Sequence, residues 1–436
     1  MIASDDDGRI SPAANPLLGL IPVPYVTSKA AGYHRSLQLP NYHHIAPRAG
    51  LAWSLSNRTV LRAGWGLFFN QAAYNIQTAL TQNLPFYFNK SVNTAATTPV
   101  PTLTTSNILL SSASGTIGGS SLDYPYRTEY ANSWSFDVQR DFGSTWLVRA
   151  SYFGSHISGA DNSTYRNVPL PGPGPIDPRR PNPLLSAFKA IRWDGWSIYH
   201  SGTIKLEKRL SNGLVLHASH TWSKSLDDAS DVGGTFAESN VPQDVRNVRA
   251  EKALSSFDHR HRAVFSFSYA LPIGHGHRLQ LHGAKGKLAE GWFVTGLGSA
   301  QSGAPFTVNL PSDNANIGAG PSQRPHLVGD PNANAPRTAQ QWFHTTAFAM
   351  PAPFSFGSAG RNVVTGDNEV NLDVSIRKET AIREGTRLEF RVEIFNLLNH
   401  TNFADVPGRV AFTPTFGRYT SAQNSRQTQL ALKLVF

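Results

Sequence analysis

Apolar and polar residues alternate at a period of two in stretch after stretch of this chain, the spacing that sends successive side chains to opposite faces of a β-strand. In 387–394, Leu388, Phe390, Val392 and Ile394 alternate with Arg387, Glu389, Arg391 and Glu393. In 262–271, Ala263, Phe265, Phe267, Tyr269 and Leu271 share one face, and Arg262, Val264, Ser266, Ser268 and Ala270 the other. Segments 203–209 and 371–377 repeat the theme, with Ile204 and Leu206, and Leu372, Val374 and Ile376, on the apolar side. The pattern predicts eleven strands, at 45–55, 58–69, 130–141, 144–155, 196–210, 213–225, 259–271, 288–301, 369–380, 385–397 and 425–436. These exceed the roughly 5–6 residues usual in soluble sheets and meet the roughly 9–11 that a tilted membrane strand needs. A large soluble sheet with one wet face would also alternate, so the connections have to decide.

They alternate between short and long. Turn-forming residues join the strands in pairs at Ser56-Asn57, Phe142-Gly143, Ser211-Asn212-Gly213 and Arg383-Glu384-Gly385. The connections between those pairs are long: 70–129, 156–195, 226–258, 302–368 and 398–424. The exception is 272–287, of medium length where a short turn is due. Short turns on one rim and long loops on the other are the habit of outer-membrane barrels, whose short turns are periplasmic. The long loops include PLPGPGPIDPRRPNP (169–183) and PSDNANIGAGPSQRP (311–325), and their composition reads first as solvated surface, second as ligand-contacting loop. Aromatic residues near strand ends, namely Trp53, Trp65, Phe68, Phe69, Trp134, Trp146, Tyr152, Trp193, Trp196 and Trp222, read as an interfacial girdle.

Composition narrows the choice. Charged residues make up 16% of the 436, against roughly 25% in an average soluble domain. Hydrophobic residues are 40% with a mean hydropathy of −0.28, and no apolar run approaches the roughly 20 residues of a membrane helix. Aromatic content of 11% argues against disorder. The absence of Cys removes disulfides, thiolate metal sites and thiol nucleophiles. A net charge of +10 is spread through strands and loops with no dense cluster, so no nucleic-acid partner is expected, and an anionic lipid or anionic ligand suits it better. Mixed-sign rows such as Lys205, Glu207 and Arg209, or Arg387 to Glu393, read as cross-strand ion pairs in a wall.

Candidate chemistry is thin. His275, His277 and His282 share one connection, and His259 and His261 precede a strand, but none has an acidic partner at metal-binding spacing. Asp227, Asp228 and Asp231 form a small acidic loop without the Gly and terminal Glu of an EF-hand; it reads as a solvated turn. There is no nucleophile elbow, phosphate loop or dinucleotide fingerprint. No catalytic residue, metal or cofactor is expected, and no enzyme.

The last twelve residues, SRQTQLALKLVF, place Leu430, Leu432, Leu434 and Phe436 on one face. An amphipathic strand ending at an aromatic carboxyl terminus looks like the signal read by the barrel assembly machinery of bacterial outer-membrane proteins. Longer runs carry a family resemblance: APRAGLAW (46–53), SFDVQRDFGSTWLVRASYFGSH (135–156), YHSGTIKLEKRLSNGLVLHASHTWSKSLDDAS (199–230), FDHRHRAVFSFSYALPIGHG (257–276), RPHLVGDPN (324–332) and RLEFRVEIFNLLNHTNF (387–403). Together they resemble the barrel of TonB-dependent receptors of the Oar-like type. The resemblance implies an all-β antiparallel transmembrane barrel in the outer membrane of a Gram-negative bacterium, contact with membrane lipid and lipopolysaccharide, and energy-coupled uptake of a large or scarce nutrient. The start MIASDDDGRISPAANP is acidic and polar, so residues 1–44 read as a loop-like segment and 45–436 as the C-terminal part of the barrel. The signal peptide and the plug that meets TonB are expected to lie outside this chain. The alternatives are a structural or adhesive surface protein, a passive porin, or a soluble glycan-binding β-protein. An odd strand count cannot close by antiparallel pairing alone, so the strands at 45–55 and 425–436 are expected to be open on their outer sides.

Overall fold

The computed structural model of the chain describes residues 2–3, 26–34, 42–70, 118–230, 241–273, 279, 283–319, 323–404 and 406–436. Eleven long strands are present: β1 (Arg48–Ser56), β2 (Thr59–Asn70), β3 (Glu129–Phe142), β4 (Trp146–Arg166), β5 (Phe188–Ser211), β6 (Leu214–Asp227), β7 (His261–Ala270), β8 (Trp292–Gln301), β9 (Glu369–Arg383), β10 (Thr386–Phe395) and β11 (Gln427–Val435). Each pairs antiparallel with its neighbours in the chain, giving one continuous meander from β1 to β11. Two short strands attach to it: Ala253–Leu254 on β6 and Ser120–Leu122, in parallel, on β5. Among the described residues the outer edges of β1 and β11 have no strand partner. The sheet is therefore open, as the odd count predicts.

Register fixes the two faces. Phe390 lies opposite Leu432, Leu388 opposite Leu434, Phe265 opposite Gly298 and Phe267 opposite Gly296. Followed strand to strand, the same face carries Leu51, Leu61, Val138, Val148, Ile204, Leu216, Val294 and Ile376. Leu432 is 70% exposed and Ile204 60%, as suits a face turned to hydrocarbon. Glu389 and Arg391 lie on the opposite, polar face with Asp137, Arg149 and Arg377. That face carries ion pairs, although Arg391 pairs along its own strand, with Glu389 at 2.5 Å and Glu393 at 3.3 Å, more closely than any partner across the ladder. Of the aromatic residues read as a girdle, Trp65, Trp134, Tyr152 and Trp222 lie on the apolar face, whereas Phe68 lies under Arg48 on the polar face and Trp193 is buried.

Three boundaries differ from the sequence reading. β8 begins at Trp292 because the helix α1 (Gly283–Ala289) occupies the medium connection. β4 and β5 run far past their expected ends, to 21 and 24 residues, forming a hairpin overhang beyond the apolar band. Alternation fades there because the register shifts between Ser158 and Ala160 and again between Ala160 and Asn162. The largest difference concerns the long loops, which are packed instead of merely solvated. Every buried hydrophobic residue among those described lies in the loops or the overhang.

At the turn between β5 and β6, Asn212 and Gly213 both adopt positive φ, 51° and 75°, the conformation a two-residue hairpin demands. A Cβ on Gly213 would also sit 2.6 Å from the Ala270 carbonyl oxygen, whereas one on Gly143, at φ 65°, would meet nothing within 4 Å. Gly143→Ala should therefore cost about 1–2 kcal/mol of left-handed strain, and Gly213→Ala about 2–4 kcal/mol with the added clash. Urea unfolding of the two variants in detergent micelles measures the difference, and equal costs would contradict the packing described.

Candidate functional site

The long-loop rim is where the chain builds a body of its own. Loop residues Phe306, Val308, Trp342, Phe343, Phe348, Val364 and Tyr419 form a dry cluster contributed by 302–368 and 398–424. Phe403 stacks on Tyr419 at 4.0 Å, and Phe343 meets Phe416 edge-on at 5.2 Å. Two-residue ladders, Pro305–Phe306 with Val364–Thr365 and His326–Leu327 with Phe348–Ala349, tie the loop to itself. The Pro- and Gly-rich stretches dock on each other. The Asn316 amide donates to the Gly172 and Gly174 carbonyls at 2.9 and 2.8 Å, and Arg179 donates to the Asn316 carbonyl.

Two buried ion pairs hold this cap, one latching it to the wall and the other joining it to the β6–β7 loop. Arg361 donates to Asp227 at 3.0 Å, at the end of β6, and to Ser230 at 2.9 Å; Arg324 forks onto Glu251 at 2.6 and 3.0 Å. All four charged side chains are at most 4% exposed. Asp227 is thus an ion-paired anchor, correcting the solvated-turn reading. Asp228 accepts from the Trp196 N–H at 3.1 Å, and burial raises its carboxyl above the ordinary value. Asp231, His275, His277 and His282 lie outside the described residues. His259 contacts the Ser302 carbonyl at 2.6 Å and His261 contacts His220 at 3.3 Å. Among the described residues no three His, Asp or Glu side chains converge as metal ligands. Arg324, Arg361 and Glu251 escaped the sequence reading because their partners lie 73 to 134 positions away. The signal present was a conspicuous arginine opening the family-like run RPHLVGDPN.

Openings lie along this rim among the described residues. One of about 150 Å³ is lined by His259, Asp367, Asn402 and Tyr419. Burial pushes the Asp367 carboxyl up, and pushes the Tyr419 hydroxyl, which accepts from the Asp367 N–H at 2.9 Å, up to about 12. A larger cleft of about 650 Å³ opens beside the β4–β5 overhang, lined by Arg127, Arg166, Arg192 and Arg246 with Asp123 and Asp194.

A family model described as an outer membrane beta barrel domain matches residues 3–429. The chain belongs to this family. As an outer membrane beta barrel domain it has its place in the outer membrane, and the barrel reading of the sequence is borne out. Its fold is similar to that of the outer membrane transporter YddB from Escherichia coli, with a TM-score of 0.50 at 11% identity over 90% of this chain and 40% of that one. The FrpB iron transporter from Neisseria meningitidis (F3-3 variant) aligns with a TM-score of 0.42 at 12% identity, covering 89% and 39%. The siderophore receptor PiuA from Acinetobacter baumannii aligns with a TM-score of 0.42 at 10% identity, covering 89% and 35%. The domain thus spans less than half the length of these solved proteins. No curated protein matches it.

Arg361→Gln leaves Asp227 charged and buried without its partner, and should destabilise the cap by about 3–5 kcal/mol. Limited proteolysis should then cut within 302–368 far faster, and the double variant with Asp227→Asn should recover part of the protection. Unchanged cleavage would remove the latch. For Tyr419, the fold favours the neutral phenol. Its contribution is complete below pH 10 and lost as pH rises from 10 through about 12, on the order of 2 kcal/mol. A difference titration of phenolate absorbance between the parent and Tyr419→Phe should show one tyrosine ionising near that upper value.

Proposed function

We propose that this chain is the C-terminal barrel portion of a TonB-dependent outer-membrane receptor for energy-coupled uptake of a large or scarce nutrient, its plug supplied from outside the chain. The observation that carries the reading is the open wall. Eleven antiparallel strands form a complete ladder from β1 to β11, yet these end strands sit at opposite extremes with their outer sides unpaired among the described residues. In hydrocarbon each free edge leaves a row of backbone groups without partners, at several kcal/mol per group. Further strands would close the ladder, and plugged transporter barrels have about 22. A share of 40% of the YddB chain is in keeping with that arithmetic.

The partners follow from this reading. Membrane lipid covers the apolar face, lipopolysaccharide borders the long-loop rim, and the assembly machinery engages β11 through its terminal Phe436, which is 85% exposed. TonB would act through the plug. The packed loop cap also suits an adhesive surface protein, and energy coupling separates the two readings.

Reconstituted alone in planar bilayers, the chain should give no stable ohmic conductance, whereas a steady pore would favour a passive porin. The complete gene product should be captured by the periplasmic domain of TonB. Failure of that capture, with surface attachment lost on gene deletion, would favour the adhesive reading.

A further inference from the structure

We propose that the cleft beside the β4–β5 overhang is a binding site for a solute carrying an oxyanion, a carboxylate or a phosphate group. Four arginines and two aspartates line it, so the lining is net cationic by two charges. Their states differ in a way that suits binding. Arg166 is held by a forked pair of hydrogen bonds to Asp123, at 2.7 and 3.0 Å, and Arg192 is paired with Asp194. The Arg246 guanidinium is anchored by donating to the Val168 carbonyl at 2.7 Å, with Asp244 only at 4.0 Å. Arg127 is exposed and has no carboxylate within ion-pair distance among the described residues. The first two arginines are therefore compensated and shape the wall; the last two retain charge to offer. A planar guanidinium fork matches carboxylate and phosphate geometry.

A second, independent observation points the same way. Thr164 lines the cleft while only 3% exposed, and its hydroxyl has no hydrogen-bond partner. A buried hydroxyl left unmet is costly, and an oxyanion would accept a hydrogen bond from it. Trp193 supplies an apolar wall, fixed by its indole N–H donating to the Asp123 carbonyl at 2.9 Å. The volume of about 650 Å³ lies within the roughly 300–1,000 Å³ of small-molecule sites.

The site stands apart from energy coupling. Anion binding can fail while TonB capture succeeds, and the reverse. The test is calorimetric titration of the full chain in neutral detergent with citrate and, separately, pyrophosphate. At least one should bind, more weakly as salt rises, and Arg127→Gln should weaken it about tenfold or more while Arg58→Gln, at the β1–β2 turn, leaves it unchanged. Thr164→Val should weaken it too. Near-UV circular dichroism checks that the variants keep the packed cap, and Arg127→Lys, which keeps the charge, should retain part of the affinity. Displacement of pyrophosphate by lipopolysaccharide would identify a lipid headgroup as the source; no displacement identifies a free solute. Absence of binding by both probes, or equal binding by the parent and a folded Arg127→Gln, would overturn the proposal.

Discussion

The structure depends on a wall whose apolar side faces outward. A soluble sheet buries its apolar face against a second layer, and that burial supplies most of its stability. Here the same face is given to lipid, so side-chain packing inside the wall contributes little, and integrity rests on an unbroken ladder of backbone hydrogen bonds. That is why the strands are long, why they follow one another without crossovers, and why free edges matter more here than in a soluble sheet. Gly296 and Gly298 show the local cost of relying on the ladder. They leave bare backbone on the apolar face, and the rings of Phe267 and Phe265 from the neighbouring strand lie across it, shielding the hydrogen bonds from the surroundings.

With no core in the wall, packing moves to the rim. The loops gather Trp342, Phe343 and Phe306 into a dry cluster, and charged residues of opposite sign meet beneath it. Such buried pairs stabilise little relative to apolar residues of the same size, but they penalise every arrangement in which one partner is missing. They favour a single docking, of one loop on β6 and of the loops on each other, which gives the clefts between the loops a defined shape.

The wall was legible in the sequence because period two is a local signal. Phe390 and Glu389 reveal their faces within a window of a few residues, and Asn212-Gly213 announces its turn by chemistry alone. The cap was not legible, for reasons equally physical. Its contacts join Arg361 to Asp227 and Asn316 to Gly172, across more than a hundred positions and through segments whose proline, glycine and asparagine resemble those of any exposed loop. The overhang was missed where the two register shifts break alternation and where Asn162, Ser163 and Thr164 are buried by neighbouring loops in place of lipid. The cleft arginines were counted in the net charge but could not be brought together, because Arg127, Arg192 and Arg246 come from three separate segments.

The latch from Asp227 to Arg361 has a mechanical consequence. It ties the end of β6 to the segment that leads into β9, so that β7 and β8 are bracketed between a hydrogen-bonded ladder below and a buried ion pair above. Shearing β6 against β9 would require pulling a buried charge away from its counterion. The four strands are therefore coupled at both ends of their length, and the contacts of Asn316 with Gly172 and Gly174 carry that coupling on to the tip of the β4–β5 overhang.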